Sequence, residues 1–394
     1  MTRPDDFVGL EPDLLREQTL PRAETVPSNW FTEERFHRLD LEAVFAATWQ
    51  YVGHLHRLAE PGSWLTCEVA GEPVVVVRDL GGELRAFYNV CRHRGGPLAL
   101  GDGCGRVLKC QYHGWTYQLD GTLRGVPHWN LVELFDREDY GLVSIRVDSW
   151  DGLVFVNLDP EAEALANVFA GVSERIEPIR LTDLKFHTRI VYDVQANWKV
   201  YVENFLEGYH VPIVHPELMN LYDFSSYETE VSEYWSLQHS PLTEDEHIYG
   251  KGGRAYYYCV FPNFMLNILP GRLQTNLVVP VAPDRCRVVF EYYYADTESE
   301  AARVRIAEDL EFADHVQDED IGICEHVQRG LSSRGYDRGR FSVKYEGGVF
   351  HFQNRLRRAY GDWIESGNER HAPEPLDPQQ DDVGIRFPTP EVES

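Results

Sequence analysis

The spacing of apolar residues divides the chain into a short helical beginning, a β-rich stretch and a mixed remainder. Between residues 30 and 50, in WFTEERFHRLDLEAVFAATWQ, apolar positions recur at helical intervals. From about 50 to 160 the pattern changes to short apolar runs that end at turn residues, which predicts strands joined in hairpins. Two such hairpins are predicted, around Gly81-Gly82 and around Asp120-Gly121.

After residue 160, helical and strand-like segments alternate. Helical spacing occurs near 161–176, 196–211 and 299–331, and strand-like runs include FHTRIVYDV, AYYYCVFPNFMLNI and RCRVVFEYYYA. This mixture predicts an α+β fold in which helices flank an antiparallel sheet. We therefore expect four regions: an N-terminal helical segment (1–45), a β-rich domain (46–160), an α+β domain (161–370) and an acidic, proline-rich tail (371–394).

The amino-acid composition argues against some classes of binding partner for this protein. The 394 residues include 37 Lys plus Arg against 64 Asp plus Glu, a formal net charge of −27. Such a field repels phosphate backbones and anionic lipid, so we expect neither a nucleic acid nor a membrane as partner. No stretch has the length of an apolar membrane span and the N-terminus lacks a signal-peptide pattern, so a cytoplasmic location is expected. The seven cysteines are too few and too scattered for a disulfide framework.

Two pairs of cysteine and histidine residues stand on predicted loops of the β-rich domain. Cys91 and His93 lie in YNVCRHRGGPL, and Cys110 and His113 follow sixteen residues later in CQYHGW. Two thiolates and two imidazoles could close a tetrahedral zinc site. They could equally hold a Rieske-type [2Fe–2S] cluster, with the cysteines on one iron and the histidines on the other.

Details of the two loops favour the cluster over zinc. The C-x-H spacing is tighter than that of most zinc sites. The glycines of HRGGPL allow backbone N–H groups to approach sulfur, and Trp115 and Tyr117 can shield one side of the site. The histidines are expected to lie near the surface, where an electron can leave.

A second metal site is predicted in NWKVYVENFLEGYHVPIVHPEL, residues 197–218. On a helix over 197–210, Trp198, Val202, Phe205 and Tyr209 form an apolar stripe, whereas Glu203, Glu207 and His210 form a polar one with Asn204 beside it. Buried carboxylates require a cation nearby. Pro212 is expected to end the helix after His210, so that His210 and His215 can converge on one ion.

Two histidines suggest mononuclear iron completed by one carboxylate. In EFADHVQDEDIGICEHVQRGL the helical count places Asp320 at the centre of an apolar face, while Asp318 and Glu319 point away from it. We therefore favour Asp320 over Asp318 and Glu319 as the third ligand. The apolar face itself is predicted to comprise Ala313, Val316, Cys324, Val327 and Leu331.

A Rieske-type motif followed by ENFLEGYHVPIVHP resembles the large subunits of Rieske non-haem iron oxygenases over nearly the whole chain. The resemblance implies a Rieske domain at 46–160, a mononuclear-iron catalytic domain at 161–370 and a trimer in which each cluster lies near the neighbour's iron. It also implies that Glu207 bridges His210 to His113 of the next subunit. Glu207 and Asn204 are thus the candidate catalytic residues beside the metal ligands.

The downstream stretch VQDEDIGICEHVQRGLSSRGYDRGRFS resembles the choline, carnitine and glycine betaine monooxygenase branch. This implies hydroxylation of a C–H bond next to a quaternary nitrogen, with dioxygen and NAD(P)H-derived electrons. An aromatic-ring oxygenase and a Rieske electron carrier remain the alternatives. Because no G-x-G-x-x-G follows a strand, we expect a separate flavin or iron–sulfur reductase, with or without a ferredoxin.

A quaternary ammonium substrate calls for aromatic faces in its pocket, because a methylated cation donates no ordinary hydrogen bond. The candidate aromatic residues are Tyr201, Trp235, Tyr256, Tyr257, Tyr258 and Phe261. Strand alternation predicts that Tyr257 points away from the side taken by Tyr256 and Tyr258.

Overall fold

The computed structural model describes residues 12–245 and 248–366. The predicted tail at 371–394 lies outside the described residues. The described part contains two seven-stranded sheets and one three-stranded sheet, together with helices, which confirms the predicted α+β class. None of its helices is both long and apolar enough to cross a bilayer.

Ten strands form in the region predicted to be β-rich. They are Gln50–His54 (β1), Ser63–Val69 (β2), Glu72–Arg78 (β3), Leu84–Tyr88 (β4), Gly103–Cys104 (β5), Val107–Lys109 (β6), Thr116–Gln118 (β7), Leu123–Gly125 (β8), Ser144–Trp150 (β9) and Leu153–Asn157 (β10). One sheet has the order β1-β10-β9-β4-β3-β2-β5, and β6-β7-β8 form the small sheet. The two hairpins predicted from glycine turns are present as β3–β4 and β7–β8.

The second large sheet is antiparallel throughout, in the order β11-β17-β16-β15-β14-β13-β12. Its strands are Lys185–Val194 (β11), Glu228–Val231 (β12), Trp235–Pro241 (β13), Arg254–Val260 (β14), Phe264–Leu269 (β15), Arg272–Ala282 (β16) and Arg285–Tyr294 (β17). The apolar run AYYYCVFPNFMLNI is two strands, since β14 and β15 pair as a hairpin across residues 261–263.

The α-helices are Pro12–Leu15 (α1), Asn29–Thr32 (α2), Glu34–Leu39 (α3), Leu165–Val168 (α4), Val172–Arg175 (α5), Trp198–Phe205 (α6), Val211–Val214 (α7), Glu300–Leu331 (α8) and Gly347–Glu365 (α9). α8 matches the predicted 299–331. The predicted helix near 30–50 is interrupted at Glu33, where the backbone is extended, and it ends in a π-helical segment, Asp40–Phe45. The prediction for 161–176 resolves into two single turns, α4 and α5.

A buried carboxylate attaches the N-terminal helices to the α+β domain. Asp40 accepts hydrogen bonds from Trp198 Nε1 (2.8 Å), from Lys199 Nζ and from the Tyr360 hydroxyl. Asp40 and Lys199 are both fully buried, and burial lowers the pKa of Lys199 against the opposing charge of Asp40. Removing one member of such a pair would leave an uncompensated charge in the core, so α6 is fixed firmly at its first turn.

The two large sheets share a hydrophobic core. Tyr51 on β1 stacks on Phe264 of β15 with ring centroids 4.5 Å apart, and Phe155 on β10 lies 5.3 Å from the same ring. The Tyr51 hydroxyl donates to Glu291 Oε2 at 2.5 Å. The first sheet therefore packs on the second through β1 and β10, the two strands at one end of its order.

Candidate metal centres

The cysteine and histidine pairs lie on two neighbouring loops, one after β4 and one between β6 and β7. Cys91 and Cys110 are each 3% exposed, whereas His93 is half-buried and His113 is exposed. The rings of His93 and His113 lie with centroids 4.8 Å apart. The structure thus brings the four predicted side chains to one place, with both histidines on the more exposed side.

The polar atoms around these four side chains suit a sulfur-rich metal cluster. The Tyr117 hydroxyl accepts from the Arg92 N–H (3.0 Å) and forms a hydrogen bond of 3.3 Å with Cys91 Sγ. Burial raises the pKa of Cys91, so its thiolate form requires a nearby positive charge. His93 Nδ1 is buried and finds no hydrogen-bond partner among the described residues, as expected of a nitrogen that binds metal.

Close packing shapes the same site. A Cβ atom at Gly96 would lie 2.9 Å from Cys110 Sγ, so glycine is required for the loop to pass beside that sulfur. Trp115 stacks on His93 with centroids 4.9 Å apart and planes 6° from parallel. These residues fit a [2Fe–2S] cluster, and we find no disulfide at any of the seven cysteines.

The histidines of the second predicted site lie at a break between two helices. Asn197 caps α6 by accepting from the Lys199 N–H (2.9 Å), and its own N–H donates to Gln328 of α8 (2.9 Å). α6 ends at Phe205, so the prediction that the helix runs to 211 and is ended by Pro212 was wrong. Pro212 instead stands in the first turn of α7, where its missing N–H leaves no bond unmade.

Gly208 makes this break possible. A Cβ atom there would lie 2.7 Å from the ring of Tyr227, so only glycine allows the chain to turn so close to that ring. The turn also overturns one predicted side-chain position. Tyr209, expected on the apolar stripe, is 53% exposed and stacks on Tyr345.

The break lets His210 and His215 face the same point on α8, as predicted. Asp320 Oδ1 lies 3.0 Å from His215 Nε2 and 3.8 Å from His210 Nε2. The three candidate ligand atoms all lie within 4.8 Å of one another, which a single ion can span. Two imidazoles and a carboxylate on one side of an ion leave its other positions open, the arrangement that suits non-haem iron.

Glu207 holds His210 from the other side. Its Oε1 lies 2.7 Å from His210 Nδ1, and its Oε2 accepts from the backbone N–H groups of His210 (3.0 Å) and Tyr209. The carboxylate therefore fixes the Nδ1–H tautomer and leaves Nε2 free to bind metal. Glu207 and His210 remain partly accessible, at 13% and 17% exposure of their side chains.

Glu319 performs the same task for His215, so the prediction that it points away from the site was wrong. Its Oε2 lies 2.7 Å from His215 Nδ1, opposite the nitrogen that faces Asp320. Burial lowers the pKa of His215, but the hydrogen bonds and charges of Asp320 and Glu319 outweigh it and raise the pKa overall. Asn204 Nδ2 donates to Asp320 Oδ1 at 2.6 Å and orients that carboxylate. The site thus favours a cation at its centre.

Replacing Glu319 with glutamine is expected to weaken iron binding by about 10- to 100-fold, because partners of this kind raise ligand basicity and fix the ring. Iron content after dialysis against a graded series of chelator concentrations measures the change. Asp318→Asn is the matched control, since Asp318 is the adjacent acid and is exposed. Equal losses in the two variants would show that only overall charge matters.

The apolar face predicted on α8 is correct only in part. Cys324 is buried, but Val327 is 44% exposed, and the remaining buried positions include the polar residues Asp309, Gln317 and Gln328. Polar residues are buried here because they bind α6 and the sheet: Gln317 Oε1, for example, accepts from the Tyr201 hydroxyl at 2.6 Å.

A cavity adjoins the His210–His215–Asp320 cluster, and about a third of its lining residues are aromatic. Its aromatic lining residues are Tyr201, Phe205, Tyr222, Tyr227, Tyr249, Tyr257, Phe290 and Phe312. Of the aromatic candidates named from sequence, Tyr201 and Tyr257 line it. The other four candidates, Trp235, Tyr256, Tyr258 and Phe261, pack in hydrophobic cores instead. The predicted alternation of Tyr257 against its neighbours is confirmed.

A second group with metal-ligand spacing, Glu228, Glu230 and His239, is already neutralised. Arg254 Nη1 lies 2.6 Å from His239 Nδ1, and Arg175 pairs with Glu230. We assign no metal to this group.

Comparison with known proteins gives two family matches. Residues 48–136 match the Rieske [2Fe-2S] domain, and residues 181–362 match the ring hydroxylating alpha subunit (catalytic domain). Choline monooxygenase from Arabidopsis thaliana chloroplasts is 36% identical over 82% of this chain and 80% of that protein. The carnitine monooxygenase oxygenase subunit of Escherichia coli K12 is 31% identical over 90% of this chain and 100% of that protein.

Solved structures show the same relationships. The quaternary ammonium Rieske monooxygenase CntA in complex with L-carnitine superposes with a TM-score of 0.76 at 31% identity, covering 86% of this chain and 96% of that one. A naphthalene 1,2-dioxygenase structure superposes with a TM-score of 0.72 at 19% identity, covering 88% and 97%. The latter likeness extends to the fold alone.

Proposed function

Because the chain belongs to the family of Rieske non-haem iron oxygenases, whose members contain a [2Fe–2S] cluster and a mononuclear iron, we propose that it hydroxylates a C–H bond beside a quaternary nitrogen. The observation that carries the proposal is one cavity in which a two-histidine, one-carboxylate cluster meets aromatic walls. Aromatic faces attract a methylated ammonium group, and Glu207, which is not assigned to the iron, adds negative charge.

The proposal assigns a role to each residue of the two sites. Cys91, His93, Cys110 and His113 hold the cluster, and His210, His215 and Asp320 hold the iron. When bound, the two groups supply stored electrons and activation of dioxygen. Glu207 keeps the proton on His210 Nδ1, Glu319 does so for His215, and Asn204 orients Asp320 through its 2.6 Å hydrogen bond.

The overall reaction consumes one dioxygen, two electrons and two protons. One oxygen atom enters the substrate C–H bond as a hydroxyl group and the other leaves as water. A carbon that carries both a hydroxyl group and a quaternary nitrogen collapses to an aldehyde and an amine. Hydroxylation of an N-methyl group would therefore release formaldehyde, and hydroxylation of the adjoining chain carbon would release trimethylamine.

We infer that the electrons come from a separate NAD(P)H-dependent reductase, directly or through a ferredoxin. Its docking area would include the His113 loop, whose exposure supports the assignment. We also infer a cytoplasmic location, for which the free state of all seven cysteines is the support.

We further infer a head-to-tail trimer in which His113 of one subunit approaches Glu207 of the next. Exposed apolar side chains occur near both sites and support a contact between them. Leu131 and Leu134 are 96% and 95% exposed on the segment whose Trp129 packs against Trp115, and Ile213 is 79% exposed between the two iron histidines. A contact of this kind between unlike surfaces closes into a ring when the rotation fits.

The proposed function is tested with purified protein, a Rieske-system reductase and NADH. Carnitine, γ-butyrobetaine, glycine betaine and choline are compared with benzoate, and NADH oxidation, oxygen uptake, formaldehyde and trimethylamine are measured. At least one quaternary compound is expected to stimulate coupled turnover with release of an amine. Stimulation by benzoate alone would identify an aromatic-ring oxygenase, and about two irons per chain without turnover would identify an electron carrier.

A further inference from the structure

One arginine stands out in the cavity beside the iron ligands. Arg272 is 4% exposed and is the only lysine or arginine among the described residues that line this cavity. It begins β16, and Gln274 and Asn276 follow on the same face of that strand, each 4% exposed or less. A buried guanidinium is costly unless its N–H groups are bonded.

The hydrogen bonds of Arg272 leave part of its guanidinium free. Nε donates to Asp309 Oδ2 (2.6 Å) and Nη2 donates to Gln274 Oε1 (2.6 Å), whose amide in turn donates to Asn276 (2.7 Å). Nη1 has no acceptor among the residues that the structure describes. The rings of Tyr249 and Tyr292 lie 5.7 and 5.4 Å from the guanidinium carbon and hold its plane. The guanidinium is therefore held in a fixed position, and the N–H groups of its Nη1 remain available to a ligand.

Asp309 positions the arginine without being able to bind a ligand itself. Its Oδ1 accepts from the Tyr249 hydroxyl (2.6 Å), and its Oδ2 accepts from Arg272 and from the Tyr294 hydroxyl (2.5 Å). Three donors thus occupy the carboxylate. Of Arg272 and Asp309, it is therefore the guanidinium that can bind a ligand. Its paired N–H groups match the geometry of a carboxylate.

The arginine and the iron ligands lie at opposite ends of the cavity. Asp309 and Asp320 are both on α8, eleven residues apart. Eleven residues rotate the helix by three full turns plus about 20°, so the two carboxylates lie on the same face of α8. They are about 16 Å apart along the helix axis. Phe312, Ala313 and Val316 line the cavity between them. Arg272 and Asp309 also border a second cavity beyond this end. A substrate that touches both ends must be elongated and must carry unlike charges.

We propose that Arg272 binds the carboxylate of a zwitterionic betaine and so makes this chain select betaines over choline. The inference rests on the proposed function. The ammonium end would lie among aromatic rings near Asp320 and Glu207, and the carboxylate would lie at Arg272. Choline ends in a neutral hydroxyl group and would offer the free N–H groups of Arg272 Nη1 no charged acceptor.

The first test uses the unaltered protein and compares each betaine with its own amide. Carnitine and γ-butyrobetaine, whose charged ends are separated by three carbons, are assayed against carnitine amide, γ-butyrobetaine amide and choline. A charge-assisted hydrogen bond predicts that kcat/KM for the best betaine exceeds that of its amide by about 10- to 100-fold. Equal kcat/KM values for a betaine and its amide, or a preference for choline, would overturn the inference while leaving the proposed function intact.

The second test is Arg272→Gln, with Arg287→Gln as the matched control. Arg287 lies on the neighbouring strand, half-exposed and paired with Asp193 away from the cavity. Arg272→Gln is expected to lower kcat/KM for the betaine by about 10- to 100-fold, mainly through KM, and to leave the amide nearly unaffected. A loss shared equally by betaine and amide would mean a structural role and would contradict the assignment. If no quaternary compound is turned over at all, the proposed function fails and this inference fails with it.

Discussion

Replacing Asp320 with alanine is expected to give a protein with about two irons per chain instead of about three, and with no measurable turnover. Its Oδ1 lies 3.0 Å from His215 Nε2 and 3.8 Å from His210 Nε2. Two imidazoles alone cannot hold iron against dilution. Iron and acid-labile sulfide analysis, together with the visible absorbance of the cluster, measures the result.

The control for this experiment is Asp318→Ala on the same helix. Asp318 is exposed, so this change removes an equal charge without touching the site. The cluster absorbance should be unchanged in both variants. Full iron content in Asp320→Ala, or iron loss from Asp318→Ala, would show that another carboxylate completes the site.

With iron(II) supplied in excess to offset any weaker binding, Glu207→Ala is expected to hold both metals and yet lower turnover by about 100-fold, because the carboxylate that would join His210 to the neighbouring subunit is gone. The informative readout is the cluster itself. After chemical reduction and mixing with substrate and oxygen, its spectrum should return to the oxidised form far more slowly than in the unaltered protein.

Glu217→Ala serves as the control, since Glu217 is an exposed acid on the same segment. A Glu207→Ala protein that has lost the mononuclear iron would indicate that Glu207 is needed for metal binding and would not speak to electron transfer. One that re-oxidises its cluster at the usual rate would refute the bridging role.

The long helix and the strands were predictable because each carries its own periodic pattern. α8 follows the predicted 299–331 almost to the residue, since apolar positions and a serine cap mark it. α6 was predicted too long because Tyr209 continues its apolar spacing. What ends the helix is the approach of Gly208 to Tyr227, a contact between residues that are distant in the chain.

Helix α9 was not predicted, and the reason lies in its buried face. That face includes Gln353 and Arg357, which bind partners in distant parts of the chain, and Asn354, which accepts a hydrogen bond from Arg357. Gln353, for example, donates to Glu203 at 2.8 Å and accepts from the Val26 N–H at 2.7 Å. Burial of polar residues hides helical periodicity from any reading of hydrophobicity.

The residues of the candidate site also divide into those that the sequence predicts and those that it does not. The spacing of His210 and His215 and the position of Asp320 on its helix predict a single metal ion from the sequence alone. Arg272 was not predicted, and Glu319 was considered only as an alternative ligand, because their roles depend on pairings across the fold, with Asp309 and with His215. Ligands are specified by local sequence, whereas the groups that orient ligands and substrate are specified by tertiary contacts.

The bond between Asp40 and α6 has a consequence for how such chains can be recombined. Trp30 packs on Tyr360 with ring centroids 4.7 Å apart, and Asp40 binds Lys199, so the catalytic core contains residues from both sides of strands β1–β10. The Rieske unit is therefore inserted within the catalytic unit, not merely placed before it. Exchanging that unit between relatives requires two junctions, one after Phe45 and one before β11, because a single junction would take Asp40 and Lys199 from different parents.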